Sequence, residues 1–181
     1  MSLETTASRL GATIHLSPLL VKARRLGLAL PLGLDQLAVQ RGCVYYRPIV
    51  PDLNPPQVPL EQFSNEELIV ALLSGGLPHS TRCIRLAAAL LGMPELNMGA
   101  LAHLAVRERC ETALRYIAQC AADVEPENNA WQTLLARLPE TASPKPDALP
   151  HPSRFYAMSG ITRGRIGIVR QWIRPKPFLA S

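Results

Sequence analysis

The fold class of this chain is decided by residues 64–91, which read SNEELIVALLSGGLPHSTRCIRLAAALL. Ser64 and Glu67 form a capping-box pattern, because the hydroxyl and the carboxylate three residues later satisfy free amides at a helix start. Leucine, isoleucine and valine follow at helical spacing. The glycine pair at 75–76 then ends this helix.

The second half of this stretch predicts the most buried helix of the chain. It begins near His79 or Ser80 and runs to Leu91, where Gly92 supplies a C′ glycine. Because residues 86–91 are apolar on every side, we expect this helix to lie at the centre of the core.

The helical pattern continues to residue 139. Residues 97–123 keep a helical alternation of apolar and polar positions. A last helix, entered through Asn128 or Asn129, places Trp131 and three leucines on one face. The sequence therefore predicts a mainly α protein, in which residues 60–139 form a compact helical bundle or a short stack of helical hairpins.

A weak internal sequence similarity favours the stack of helical hairpins. At an offset of 30 residues, segment 84–88 aligns with segment 114–118. If this similarity reflects a structural repeat, residues 97–123 form two helices that bend near Arg109. If it reflects only two alanine- and leucine-rich helices, the bundle is the better description.

The N-terminal region, residues 1–50, combines a helix with a short strand. Ser17 and Pro18 fit the N-cap and the first helical position, and leucines and alanine recur at helical spacing up to Leu30. The run at 43–50 is rich in strand formers. Several prolines between residues 51 and 59 mark a boundary to the core.

The C-terminal region, residues 140–181, combines a proline-rich linker with a basic β-hairpin. Its predicted strands are 154–158 and 166–173, around a glycine-rich loop at 159–165. Because an isolated hairpin is marginally stable in water, we expect it to dock on the helices or to pair with the run at 43–50, forming a small β element.

Charge is concentrated at the C-terminal end. Residues 148–181 contain six of the 19 basic side chains and no acidic residue, so the first 147 residues hold 13 basic and 14 acidic side chains. A basic terminus on a near-neutral body is typical of contact with nucleic acid or an acidic protein. No membrane-spanning run and no secretory signal is visible, so we expect a cytoplasmic protein without membrane contact.

The sequence shows no motif of catalysis or metal binding. The cysteines contain no CxxC pair and are expected to be reduced thiols, without a metal site; they are Cys43, Cys83, Cys110 and Cys120. Phosphate-binding glycine loops and a serine-nucleophile elbow are missing. Acidic residues such as Glu125 stand at helix starts, where the helix dipole favours anions. These observations favour a protein that is not an enzyme and has no cofactor.

The C-terminal region carries the candidate binding site. Guanidinium groups bind phosphate, and aromatic rings stack on bases. The candidate nucleic-acid-binding residues are Arg163, Arg165, Arg170, Arg174, Trp172 and Tyr156. In the alternative interpretation, these arginines pair with acids of the helical body, such as Glu108 and Glu111, and their role is structural.

These patterns predict a non-catalytic nucleic-acid-binding or ribonucleoprotein accessory protein, whose partner is a nucleic acid, RNA included, or an acidic protein. The helical body sets the shape, and the arginines hold phosphate without reading sequence. One alternative is an α-helical adaptor that binds another protein through an apolar helix face. A third is an enzyme whose site is assembled from distant residues.

Overall fold

Helices form most of the described structure. The computed structural model describes residues 17–43, 57–74, 81–140, 161–164, 167–170 and 172–176. Within them lie seven helices: α1 (Pro18–Arg25), α2 (Leu32–Gln40), α3 (Asn65–Leu73), α4 (Thr81–Leu91), α5 (Met98–Arg107), α6 (Glu111–Val124) and α7 (Asn129–Arg137). The predicted mainly α fold is confirmed, and the arrangement is consistent with a helical bundle.

The helix starts follow the signals in the sequence. Before α3, Ser64 Oγ accepts a hydrogen bond from Glu67 N at 3.2 Å, and Glu67 Oε2 accepts one from Ser64 N at 2.9 Å. This reciprocal pair is the predicted capping box. Ser17 caps α1 with Pro18 at the first helical position, and Asn128 caps α7.

Helix α3 lies at the centre of the core. Residues 68–73 are all at most 2% exposed, and the helix packs against α1, α2, α4, α5 and α6. The sequence predicted that the following helix would hold this position. Residues 86–91 of α4 are indeed buried, but the main helix neighbours of α4 are α3 and α2.

The N-terminal region contains two helices where the sequence predicted one. Helix α1 ends at Arg25, and Gly27 follows in the left-handed conformation, with a φ of 84°. A glycine reaches this conformation without steric cost, so the chain turns there and starts α2, which packs on α3 and α4. The predicted strand lies outside the described residues, apart from Cys43.

The C-terminal hairpin differs from the predicted one. β1 (Ile161–Gly164) and β2 (Gly167–Arg170) form an antiparallel ladder in which Gly164 pairs with Gly167. β1 therefore occupies part of the predicted loop, because glycines flank a connection of two residues and permit a tight reversal. The predicted strand at 154–158 lies outside the described residues.

The predicted small β element is not supported. In the part of the chain that the structure describes, the ladder joins β1 to β2 and includes no strand from the N-terminal region. The segment that follows β2 docks on helices instead.

The region 97–123 forms two helices, as the repeat-based alternative predicts. Between α5 and α6, Cys110 N donates to Ala105 O at 2.9 Å, and Arg109 N donates to Val106 O at 3.2 Å. These two bonds form a Schellman motif, which satisfies the last carbonyls of α5. Its C′ residue is Arg109, which has a φ of 57°.

We expect Arg109→Gly to raise the free energy of unfolding by about 0.5–1 kcal/mol. A side chain in the left-handed region is strained by about 1–2 kcal/mol, and the larger backbone entropy of glycine in the unfolded chain offsets part of that gain. Gly27 and Gly42 already occupy the equivalent positions after α1 and α2. Urea unfolding measures the change.

Arg24→Gly is the matched control, because it removes an exposed arginine within a helix and should cost about 1 kcal/mol. A loss of stability for Arg109→Gly as large as that of this control would contradict the assignment of strain.

Candidate functional site

Trp172 lies in the protein core. It is 1% exposed, and its indole Nε1 donates to Ala88 O at 2.7 Å. Its ring meets Trp131 edge to face, with 5.8 Å between the ring centroids. In this position Trp172 has no exposed ring face with which to stack on bases, because its apolar surface is more stable inside the core.

The carboxylate of Glu125 holds the C-terminal segment against the helices. Its two oxygens accept hydrogen bonds from Arg174 NH1 and NH2 at 2.7 and 2.6 Å, a bidentate ion pair. Trp172 N donates to Oε1 at 2.9 Å, and Trp131 Nε1 donates to Oε2 at 3.2 Å. Asn128 Nδ2 adds a fifth donor at 3.0 Å.

These donors determine the charge state of Glu125. Burial by itself raises the pKa of a carboxyl group. The hydrogen bonds from Arg174, Asn128, Trp172 and Trp131 outweigh burial and lower the pKa of Glu125 to about 2. The ion pair with Arg174 is therefore intact at neutral pH.

Two glycines let the C-terminal segment approach the helices closely. A Cβ atom at Gly92 would lie 2.8 Å from Arg174 Cγ and 3.1 Å from Ile173 O. A Cβ atom at Gly42 would collide with the carbonyl oxygen of Lys176. The backbone N of Lys176 donates a hydrogen bond to Gly42 O at 2.9 Å. Gly92 is thus needed for this close contact. The sequence predicted Gly92 to be a C′ glycine, but it does not have the positive φ of that position.

Arg174 pairs with an acid of the helical body, as in the alternative interpretation of the basic tail, but this acid is Glu125 and not Glu108 or Glu111. Glu108 is instead fully buried at the start of α1, where its Oε1 accepts from Leu19 N at 3.3 Å. The acid also lies 3.7 Å from Arg107 NH2. The sequence missed Glu125 because an acid before a helix is ordinarily explained by the helix dipole.

The remaining candidate arginines belong to the hairpin or its connection. Arg163 pairs with Ile168 in the ladder, and Arg170 pairs with Ile161. Directly opposed residues share a face, and so do residues two apart, so positions 163 and 170 are diagonal neighbours on one face. Arg165 and Tyr156 lie outside the described residues.

A cavity of about 450 Å³ opens beside the docked C-terminal segment. Arg41, at the end of α2, contributes its guanidinium group. NH1 donates to Asn65 Oδ1 at 3.0 Å, and NH2 donates to the carbonyl of Phe63. The residues that define its chemistry are Leu60, Met93, Pro94, Leu96, Arg41 and Asn65.

The cysteines are free thiols at buried positions. Burial raises the pKa of both Cys43 and Cys110 to about 12, so these thiols are protonated and unreactive at neutral pH. Within the described residues, no three metal-binding side chains converge.

Comparison with known protein families, with curated proteins and with solved structures found no significant match to this chain. None of the helices within the described ranges has the length and apolarity that crossing a bilayer requires.

We expect Glu125→Gln to lower the free energy of unfolding by removing a contribution that depends on pH. The pKa of Glu125 is lower in the folded protein than its ordinary value of 4.5. Its ion pair therefore stabilises the fold above about pH 4.5, and this contribution is lost as the pH falls toward 2. The difference between these two pKa values corresponds to about 3 kcal/mol.

Urea unfolding of both proteins, at neutral pH and at about pH 3, measures this effect. The difference in the free energy of unfolding between wild type and Glu125→Gln should be smaller at about pH 3 than at neutral pH. Exposed Glu127→Gln is the control and should keep the wild-type profile. A difference of constant size across this pH range would contradict the role of the ionised carboxylate.

We expect Trp172→Ala to lower the free energy of unfolding by about 3–5 kcal/mol, because it empties a buried indole site and removes the bond to Ala88 O. Limited proteolysis should then cleave the chain before residue 172 at low protease concentration. Leu60→Ala, at an exposed position, is the control. Unchanged stability for Trp172→Ala would show that the segment does not belong to the core.

Proposed function

We propose that this protein is a non-catalytic nucleic-acid-binding or ribonucleoprotein accessory protein that contacts phosphate through Arg163, Arg165 and Arg170. The observation that supports the proposal most is the register of the hairpin, which places positions 163 and 170 on one face of the ladder. Because guanidinium groups offer forked donors that a phosphate backbone accepts, two arginine positions on one face of a ladder suit this kind of partner.

The distribution of charge supports the same interpretation. Arg174 is neutralised by Glu125, whereas residues 148–170 contain no acid that could neutralise the hairpin locally. An arginine cluster without local acids attracts a polyanion at long range. Trp172 and Tyr156 are not required in this form of the proposal, since Trp172 is a core residue and Tyr156 lies outside the described part.

The docked segment gives the hairpin a fixed point on the helical body. β2 ends at Arg170, and Trp172 is already anchored in the core. A short connection to a fixed point limits how far the hairpin can move from the body. Binding through the hairpin would therefore place the helical body beside the nucleic acid, as an accessory subunit requires.

The adaptor alternative has weaker support. It requires a continuous apolar surface, and the large apolar side chains that are exposed among the described residues are Leu32, Leu60 and Val106. Single exposed apolar residues are normal on a protein surface. We therefore place nucleic-acid binding first.

Fluorescence anisotropy with a labelled single-stranded oligo-uridine RNA and a labelled DNA duplex tests this proposal. We expect affinity to fall with salt, with a log–log slope of about 0.7 per phosphate contact for the single strand, and thus about 2 for three arginines. The triple variant Arg163→Gln, Arg165→Gln and Arg170→Gln should lose most of this slope.

The matched control changes the same charge on the helical body, at the exposed arginines Arg24, Arg25 and Arg137. It should retain most of the affinity and the slope. Equal losses of affinity in both triple variants would show that binding depends on the net charge of the protein and not on the hairpin. Absence of binding at low salt, together with a nuclease-resistant protein partner in a pull-down, would favour the adaptor.

A further inference from the structure

The cavity beside the C-terminal segment contains a cation without an ion-pair partner. The guanidinium group of Arg41 donates to the side-chain oxygen of Asn65 and to the carbonyl of Phe63, both of which are neutral. No described carboxylate forms an ion pair with it. Because a guanidinium group has five N–H donors, Arg41 retains donors for a further acceptor.

The two acids that act on Arg41 through space, Glu67 and Glu66, accept hydrogen bonds from other groups. Glu67 pairs with Lys22 Nζ at 2.6 Å, and Glu66 Oε1 accepts from Asn97 N at 2.8 Å. Burial lowers the pKa of Arg41 to about 10, while Glu67 and Glu66 oppose this shift through space. Arg41 is therefore charged at neutral pH and half-buried, which makes a negative ligand favourable.

The rest of the lining is suited to an apolar group. Leu60 is 54% exposed on one wall, and Met93, Pro94 and Leu96 contribute further apolar surface. The volume of about 450 Å³ is within the usual range of sites for small molecules, which are mostly apolar with a few placed polar groups. Glu95 and Lys176, which carry opposite charges, also line the cavity.

We propose that this cavity binds a small carboxylic acid with an apolar body. The carboxylate would accept hydrogen bonds from Arg41 and from the amide of Asn65, which lie next to each other. The apolar body would cover Leu60, Met93 and Leu96 and leave contact with water. This site is separate from the hairpin, so the inference does not depend on nucleic-acid binding.

Calorimetric titration of the full chain with decanoate tests the proposal, at concentrations below micelle formation. Decanol and decyltrimethylammonium are the comparison ligands, because they keep the apolar chain and change the head group. We expect decanoate to bind about ten-fold more tightly than decanol, the effect of one charge-assisted hydrogen bond, and the cationic ligand to bind most weakly.

Arg41→Gln should abolish the preference for decanoate over decanol, while Arg24→Gln, which removes an exposed arginine, should preserve it. Leu60→Glu adds a carboxylate at an exposed wall position, and should weaken decanoate about ten-fold without disturbing the core. This variant decides the question if Arg41→Gln fails to fold by circular dichroism.

The proposal is overturned if decanoate does not bind, if decanol binds equally well, or if decanoate binding is the same in wild type, Arg41→Gln and Leu60→Glu. The hairpin triple variant should bind decanoate as wild type does. That result would separate this site from the nucleic-acid proposal, whichever of the two fails.

Discussion

The carboxylate of Glu125 is the contact on which the placement of the C-terminal segment depends. It lies after α6 and receives donors from both sides, Asn128 and Trp131 on the helical body and Trp172 and Arg174 on the segment. A buried donor that loses its acceptor costs about 1–3 kcal/mol, so the carboxylate fixes several partners together. Around it, the indole of Trp172 fills the core, and Gly42 and Gly92 allow the backbone to approach.

This contact divides the basic tail into two parts with different roles. Arg174 has its charge neutralised inside the structure, whereas Arg163 and Arg170 precede the anchored residue and belong to the ladder. Composition alone counts all of these arginines alike. The segment after the hairpin is part of the fold, whereas the hairpin is the surface that we propose for phosphate, so variants in the two parts should have different consequences.

Local signals predicted the helical core well, because they depend on neighbouring residues. The capping box at Ser64 and the caps of α1 and α7 all involve partners within a few positions in the chain. The pairing of Glu125 with Arg174 joins residues 49 apart, and nothing local distinguishes it from a dipole effect. The roles of Trp172 and Arg41 were hidden for the same reason, since burial and cavities arise only when distant segments pack together.

The contact between Trp131 and Trp172 has a spectroscopic consequence. They are the two tryptophans of the chain, and each lies in the core with its indole N–H bound to an acceptor. Release of the C-terminal segment would expose one indole to water and uncover the other. The intrinsic emission of the protein should then shift to longer wavelength, and the near-ultraviolet dichroism of the ring pair should vanish. The chain therefore carries a built-in optical reporter of whether its C-terminal segment is docked, with no label required.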